Sequence, residues 1–316
     1  MRESDERTTR RSRQGLAAAL LAAVVLLSGC GGAEEDASTR ALRFAYIPGE
    51  EDPEGRMAAF GALADYLSEQ IGREVDLIKT VSYAPTIEAM RAGKIDFMRA
   101  GGSFTYMIAH EKAGAEAVAR VGTSAGPGLY QSAIVTHPGS GITTIEELRE
   151  RAADIDFAFV DPASTSGHLI PRAHLEASGI DADADFGRTL YTMSHTNSVM
   201  TIIAGKVDAG AISLNSYERL LERDMIDPDA IVFLWVSEPI PTAPIMVRPD
   251  LPEELKHAIR DAYLSLNDGK AAVYPALQEV YRVDDLTFWA AQDDEWDPLR
   301  TVARNIESFD LLPGAR

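Results

Sequence analysis

One short segment constrains this chain more than any other, because it places three consecutive hydroxyl residues between a strand and a helix. Residues 155–160 (IDFAFV) are typical of a buried strand, and residues 169–178 are typical of a helix that ends at Gly179. A helix start has unpaired backbone N–H groups and a partial positive charge. An ordinary N-cap needs one hydroxyl, whereas Ser164, Thr165 and Ser166 supply three, followed by Gly167, which lets a ligand approach the backbone. The segment therefore predicts a cradle for a small oxyanion.

The N-terminus predicts export and lipid attachment. Arginines precede a continuous apolar stretch from Leu16 to Leu27, which is short for a membrane span and typical of a signal peptide. The stretch ends in Leu27-Ser28-Gly29-Cys30, which looks like a bacterial lipobox, so we predict a lipoprotein signal peptide over 1–29, acylation of Cys30 and a flexible tether over 30–40. An uncleaved anchor helix is the alternative. Cys30 is the single cysteine, which excludes disulfides within the chain and thiolate metal sites.

Composition excludes several classes of partner. The formal net charge of −19 argues against nucleic acid and against anionic membrane surfaces. The chain has no Walker A sequence and no G-x-G-x-x-G, so we predict no nucleotide cofactor, and the histidines lack metal-ligand spacing.

Strand and helix patterns alternate along the chain and predict two α/β lobes with parallel-rich sheets covered by helices. We predict crossovers between the lobes at the turn 137–141 and at the proline-rich segment 237–244 (SEPIPTAP, from Ser237), so that lobe 1 comprises 41–137 plus 244–316 and lobe 2 comprises 138–243. The chain after about residue 266 is predicted to be helical with short breaks. Two lobes joined in this way would form a cleft.

Three stretches together carry a specific resemblance: Asp161–Pro171 (DPASTSGHLIP), His195 about thirty residues later, and residues 205–211 (GKVDAGA). With them the chain resembles the phosphonate/phosphite-binding subunits of ABC importers, the PhnD-like periplasmic binding proteins, from Leu42 to about Phe309. The resemblance implies a type II, two-lobed periplasmic-binding-protein fold hinged by the two crossovers. It also implies a binding protein that is not an enzyme, a monomer, and partnership with a permease and its ATPase subunit.

The resemblance also assigns candidate site residues. Ser164, Thr165 and Ser166 match positions that bind the oxyanion through hydroxyls and amides, and His195 matches a position that binds it from a facing helix start. Further candidates are Tyr83, a first-lobe tyrosine; Tyr130, within the matching stretch 126–132; and Tyr106, which one local alignment matches to a family tyrosine while another places Ala100 there.

Departures from the family pattern narrow the range of ligands that we expect. Members that bind aminoalkylphosphonates place acidic residues around the ammonium group, and the matching positions here are Asn215 and Ala243. We therefore expect phosphite, phosphate or methylphosphonate rather than an aminoalkylphosphonate, with Asn215 among the contacts. Arg99 follows a predicted strand and suits either an anion contact or a pair with a nearby acid, and His168 suits either ligand contact or solvent.

Two alternatives to import stay open on sequence grounds. A secreted hydrolase would use Ser164 or Ser166 as nucleophile, His195 as base and Asp161 or Asp208 as orienting acid, although the G-x-S-x-G elbow is absent. The same binding fold could instead present its ligand to a sensor kinase.

Overall fold

A computed structural model describes residues 40–46, 53–80 and 82–306. The predicted signal peptide, Cys30 and all of the predicted tether except Arg40 lie outside the described residues. No helix within these three ranges is both long and apolar enough to cross a membrane.

The described chain alternates strands and helices, as the sequence predicts. From the N-terminal side to the middle, the elements are β1 (Leu42–Tyr46), α1 (Pro53–Ile71), β2 (Val75–Lys79), α2 (Tyr83–Arg91), β3 (Phe97–Arg99), α3 (Ser103–Ala113), β4 (Glu116–Thr123), β5 (Gly126–Pro127), β6 (Leu129–Tyr130), β7 (Ser132–Thr136), α4 (Ile145–Glu150) and β8 (Asp156–Phe159). The remaining elements are α5 (Ile170–Ala177), β9 (Arg188–Tyr191), α6 (His195–Ile203), β10 (Ala209–Ser213), α7 (Leu214–Glu222), β11 (Val232–Val236), β12 (Ile240–Pro241), β13 (Pro244–Val247), α8 (Glu253–Ser265), α9 (Tyr274–Tyr281), β14 (Leu286–Ala290) and α10 (Asp297–Arg304).

Two mixed sheets organise these elements. The larger has the order β14-β4-β13-β3-β1-β2, with β5 beside β4. The smaller has the order β11-β7-β10-β8-β9. In each sheet the strands linked by helices run parallel, β2-β1-β3 and β10-β8-β9, whereas the strand that arrives from the other sheet, β13 or β7, runs antiparallel. The α/β architecture with two sheets is the predicted fold class.

The first crossover lies earlier in the chain than predicted. Strand β7 pairs along its whole length with β10, from Ser132 opposite Ser213 to Thr136 opposite Ala209. The predicted boundary after residue 137 assigned this strand to the first lobe, and that assignment is wrong because its backbone partners belong to the smaller sheet. The crossing segments are instead β6 and β12, which pair with each other as a two-stranded ribbon between the sheets.

A strand also replaces part of the helical C-terminal region that the sequence predicts. Strand β14 runs antiparallel to β4, with Leu286 opposite Thr123 and Ala290 opposite Ala119. Leu286 and Phe288 are buried whereas Thr287 and Trp289 are half-buried, which is the alternation of a sheet edge covered on one face.

The same short motif ends a helix and begins a strand in each half of the chain. Gly93 and Gly205 take left-handed conformations (φ 66° and 62°) after α2 and α6, and each is followed by Lys, an apolar residue and Asp. The carboxylate of Asp96 accepts the Arg43 amide at 2.8 Å, and that of Asp208 accepts the Asp156 amide at 2.8 Å. In both halves the aspartate therefore anchors the incoming strand to its parallel neighbour.

Candidate functional site

A cavity of about 480 Å³ lies beside the ends of strands from both sheets. Its lining includes seven of the eight predicted ligand residues, which are Tyr83, Tyr130, Ser164, Thr165, Ser166, His195 and Asn215. Ligands of open α/β sheets bind at the carboxyl ends of strands, where helices begin. The structure thus brings these residues together, and their contact with ligand stays a prediction.

The three hydroxyl residues form the turn after β8, and this turn is a π-helix rather than the start of an ordinary helix. The π-helical turn spans Thr165–Leu169, and the Leu169 amide donates to the Ser164 carbonyl at 3.1 Å. The side chain of Ser164 caps the turn by accepting the Gly167 amide at 3.1 Å. π-Turns concentrate at functional sites, and this one keeps Ser164, Thr165 and Ser166 on the cavity wall.

Gly167 is required by packing rather than by ligand approach. A Cβ at this position would lie 2.4 Å from the Cβ of Val160, and the Gly167 carbonyl accepts the Val160 amide at 2.9 Å. Gly167 does not line the cavity, unlike the three residues before it, so the structure does not support the interpretation that the glycine opens the backbone to a ligand. Its missing side chain makes room for the last residue of the preceding apolar run.

A further helix start meets the cradle, and the sequence interpretation missed it. The hydroxyl of Thr165 accepts the amide of Phe104, at the beginning of α3, at 2.8 Å, and Thr105 donates to the Ala163 carbonyl at 3.0 Å. A Cβ on Gly102 would lie 2.7 Å from the Thr165 hydroxyl oxygen. The sequence did contain an indication of this helix start, since Gly101-Gly102-Ser103 follows a strand and precedes a helix.

The cradle hydroxyls are arranged as hydrogen-bond donors. Ser164 and Thr165 each accept a backbone N–H, so each still has a proton to donate. The hydroxyl of Tyr130 is hydrogen-bonded to the side chains of Thr165 and Ser166, and burial raises the pKa of Tyr130 despite these bonds and the nearby charge of Arg99. Each hydroxyl has a single proton, so the bonds of Thr165 and Ser166 to Tyr130 would have to be exchanged for bonds to an anion, whereas Ser164 can donate its proton without that exchange.

His195 is held in one tautomer by the backbone. It is the first residue of α6, whose N-cap Ser194 accepts the Asn197 amide at 3.0 Å. The Ser213 amide donates to Nδ1 of His195 at 2.9 Å. Nδ1 therefore carries no proton, and the neutral ring bears its proton on Nε2. In this state His195 is a hydrogen-bond donor that needs no positive charge.

The same contacts do not match the hydrolase alternative. A catalytic histidine needs an orienting carboxylate behind it and an unprotonated nitrogen towards the nucleophile. Here the Nδ1 partner is an amide, which leaves the proton on the opposite nitrogen. The two aspartates considered for the third role accept other amides, Asp161 from Ala163 and Asp208 from Asp156, both at 2.8 Å.

The remaining lining residues come from the larger sheet and from α7. The ring of Tyr83 lies against the Cα of Gly101, since a Cβ on that glycine would lie 2.1 Å from the ring. Asn215 lies in the first turn of α7, directly after β10. Arg99, which ends β3, also lines the cavity, and its guanidinium carbon lies 5.2 Å from the centroid of the Tyr281 ring.

Tyr106 does not line the cavity, so the prediction of a ligand contact is wrong for this residue. It is fully buried in α3, packs edge-on against Trp296 and donates from its hydroxyl to Asp293 at 2.6 Å. Burial, followed by the bond to Asp293, raises the pKa of Tyr106. The side chain thus ties α3 to the C-terminal region instead of facing the cleft.

His168 supports the cradle from behind. It is 4% exposed and does not line the cavity. Its Nδ1 donates to the Pro162 carbonyl at 2.9 Å, so Nε2 accepts from the Tyr191 hydroxyl at 3.2 Å. Burial lowers the pKa of His168 from 6.5 to about 4. The neutral ring is therefore part of the folded structure at neutral pH.

This depressed pKa predicts a loss of stability on acidification. The unfolded chain protonates His168 below pH 6.5 while the folded protein does not do so until about pH 4, so folding weakens as pH falls through this window. When pH falls from 7.5 to 4.5, the free energy of unfolding of wild type is expected to decrease by about 2.5 kcal/mol more than that of His168→Asn. Urea unfolding at both pH values measures it. The exposed His257→Asn variant serves as control, and equal losses in wild type and His168→Asn would contradict the assignment.

Comparisons with known proteins agree with this architecture. A family model described as "ABC transporter, phosphonate, periplasmic substrate-binding protein" matches residues 44–296. The phosphonates-binding periplasmic protein of Escherichia coli K12 is 26% identical over 271 residues, covering 86% of this chain and 78% of the relative. The phosphate-import protein PhnD of Mycolicibacterium smegmatis is 28% identical over 250 residues, covering 73% of this chain and 75% of the relative.

Solved structures share the fold. A binding protein component of an ABC phosphonate transporter from Pseudomonas aeruginosa superposes with a TM-score of 0.72 at 25% identity, covering 84% of this chain and 85% of that chain. PhnD1 from Prochlorococcus marinus, solved with methylphosphonate, gives a TM-score of 0.73 at 17% identity, covering 85% of this chain and 99% of that chain.

Proposed function

Because this chain belongs to the family of periplasmic substrate-binding proteins of phosphonate ABC transporters, we propose that its cavity binds a phosphorus oxyanion between the turn 164–166 and His195. Members of this family are binding proteins and not enzymes, and they deliver a small ligand to a permease and its ATPase subunit. The chain is accordingly an exported subunit of an ABC importer.

One observation carries the proposed site: hydrogen-bond donors from three helix starts line a single cavity. The Thr165 turn, the first residue of α6 and the first turn of α7 all contribute to the lining, and α3 begins against Thr165. Oriented amides and hydroxyls stabilise a compact anion through local dipoles, although the chain as a whole carries a net charge of −19. Distant carboxylates are screened over about 10 Å at moderate salt.

The composition of the lining does not favour a ligand with a cationic tail. Within the described ranges, no Asp or Glu lines the cavity. Asn215 and Ala243, which the resemblance matches to acidic positions of aminoalkylphosphonate binders, are both in the lining. We therefore propose phosphite, phosphate or methylphosphonate in preference to an aminoalkylphosphonate. Of the two alternatives considered above, the sensor-kinase partner lacks a supporting observation, and the hydrolase lacks the geometry. We also propose that the protein acts as a monomer.

Isothermal titration calorimetry tests this proposal directly. Several charge-assisted hydrogen bonds, each worth about 1.5–3 kcal/mol, are expected to give a Kd of about 1 µM or below for at least one of phosphite, phosphate and methylphosphonate. 2-Aminoethylphosphonate is expected to bind more weakly, because no carboxylate in the described lining compensates its ammonium group. The absence of binding by all four compounds would overturn the proposal.

We propose in addition that the protein is anchored through lipid on Cys30, on the basis of the Leu27-Ser28-Gly29-Cys30 sequence. Cells grown with an alkyne-labelled fatty acid are expected to label the wild-type protein, whereas Cys30→Ser removes the thiol that forms the thioether and is expected to eliminate the label. Ser38→Ala, in the predicted tether, is the matched control and should retain the label. Equal labelling of Cys30→Ser and wild type would show that another residue, or none, is acylated.

A further inference from the structure

The cavity is larger than the ions proposed above require. Its volume is about 480 Å³, within the range of roughly 300–1,000 Å³ that holds drug-sized ligands. A phosphite or methylphosphonate ion has four or five heavy atoms and fills a volume of about three waters, or roughly 90 Å³. Most of the cavity therefore lies beyond the cradle, and its lining there comes largely from the larger sheet and α9.

That remaining wall is basic. Arg56, Arg99 and Arg219 all line the cavity, and within the described ranges no carboxylate does. Arg56 donates to the Val280 carbonyl at 3.4 Å and Arg219 to the Ser216 hydroxyl at 2.8 Å. Three guanidinium groups around one cavity contrast with the acidic character of the rest of the chain.

Arg99 is the guanidinium best placed to meet a ligand. Its guanidinium packs over the Tyr281 ring in a cation–π contact at 5.2 Å, and within the described part of the chain no carboxylate lies within 4.0 Å of it. Its charge also acts on the Tyr130 hydroxyl, which touches the cradle. Arg99 therefore lies near the oxyanion site with its planar fork of donors uncommitted to an acid.

We propose that the ligand carries a second anionic group, and that Arg99 binds it while the cradle holds the phosphorus oxyanion. The ligand class is a carboxyalkylphosphonate, a molecule with a phosphonate at one end and a carboxylate at the other. A guanidinium binds a carboxylate through two parallel hydrogen bonds. This inference rests on the proposed function and extends its ligand class to phosphonates with an anionic tail. The cradle would still bind methylphosphonate, but more weakly.

Titration calorimetry with a matched ligand series tests the inference. The probes are phosphonoacetate, 3-phosphonopropionate, and the uncharged-tail analogues ethylphosphonate and propylphosphonate, which keep the same number of carbon atoms and replace the carboxylate with a methyl group. At least one carboxylate ligand is expected to bind wild type about tenfold or more tightly than its uncharged analogue. Equal or weaker binding of both would overturn the inference while leaving the proposed function intact, provided that methylphosphonate still binds.

Variants of Arg99 assign the effect to this residue. Arg99→Gln is expected to abolish the tenfold preference, Arg99→Lys to retain part of it, and the exposed control Arg91→Gln to leave it unchanged. A preference that survives in Arg99→Gln, or an equal loss of affinity for charged and uncharged tails, would overturn the role of Arg99 in binding a second anionic group. If none of the phosphorus compounds binds wild type, both the proposed function and this inference fail.

Discussion

Replacing Thr165 with valine is expected to weaken binding of methylphosphonate by between about tenfold and a hundredfold. Valine keeps the shape of threonine but removes one donor to the anion, and a hydrogen bond to a charged group is worth about 1.5–3 kcal/mol. The change also leaves the buried Phe104 amide without its 2.8 Å acceptor, which loosens α3 where it meets the cradle. Titration calorimetry measures the affinity.

Thr136→Val is the matched control for this variant. Thr136 is equally buried, and its hydroxyl donates to the Ile142 carbonyl at 3.1 Å. It lies at the opposite end of β7 from Ser132, which pairs with the cavity-lining Ser213. Its replacement is expected to lower stability by a similar amount without changing affinity. If Thr165→Val bound methylphosphonate as tightly as wild type, the middle hydroxyl of the cradle would have no part in recognition.

Asp96→Asn is expected to have the largest effect on stability, a loss of about 3 kcal/mol in the free energy of unfolding. The Asp96 side chain is fully buried, accepts from the Arg43 amide and side chain at 2.8 and 3.2 Å, and accepts from the Arg248 side chain at 2.8 Å. Two of these bonds end on Oδ2 and one on Oδ1. An amide can keep the bonds to one oxygen but neither those to both nor the charge, so two largely buried guanidinium groups lose their shared counterion.

Asp208→Asn provides the comparison, because Asp208 has the same place in the second copy of the motif. Its carboxylate accepts a backbone amide, and no arginine bond to it is among the described contacts. We expect Asp208→Asn to cost only about 1 kcal/mol. Denaturant unfolding of the two variants separates the contribution of the Asp96 ion pairs from that of the backbone hydrogen bond that both aspartates make. Equal losses in the free energy of unfolding would show that the arginines contribute little.

The site could be predicted from sequence where a local pattern has a local physical meaning. Three hydroxyl residues after an apolar strand predict a helix-start cradle whatever the rest of the fold does. The position of His195 after the next strand predicts that it lies at the same edge, since the ends of neighbouring parallel strands lie side by side. The tautomer of His195 could not be predicted, because it depends on the amide of Ser213, which belongs to a different strand.

The predictions for Tyr106 and for the strand Ser132–Thr136 were wrong because the same local sequence pattern is compatible with two different places in the tertiary structure. Residues 103–109 of α3 are all buried, so the helix has no exposed face in this stretch, and its sequence does not tell whether Tyr106 faces a core or a cavity. The strand Ser132–Thr136 has five buried residues and would suit either sheet. Its assignment depends on pairing with residues about seventy-five positions away.

One missed strand was detectable. Residues 286–290 (LTFWA) alternate between buried and half-exposed side chains over the first four positions and are rich in residues that favour strands. The helical pattern on either side, α9 and α10, outweighed that signal in the prediction. The Gly101-Gly102 pair before α3 was likewise available, and it marks the place where Thr165 and Tyr83 approach the backbone.

A crystal structure of the protein with methylphosphonate bound is the most direct test of the account. We predict that the phosphonate oxygens lie within hydrogen-bond distance of the Ser164–Ser166 turn and of His195 Nε2, with Nδ1 still accepting the Ser213 amide. Methylphosphonate bound elsewhere in the cavity, with the turn and His195 making no contact to its oxygens, would contradict the central claim that facing helix starts hold the anion.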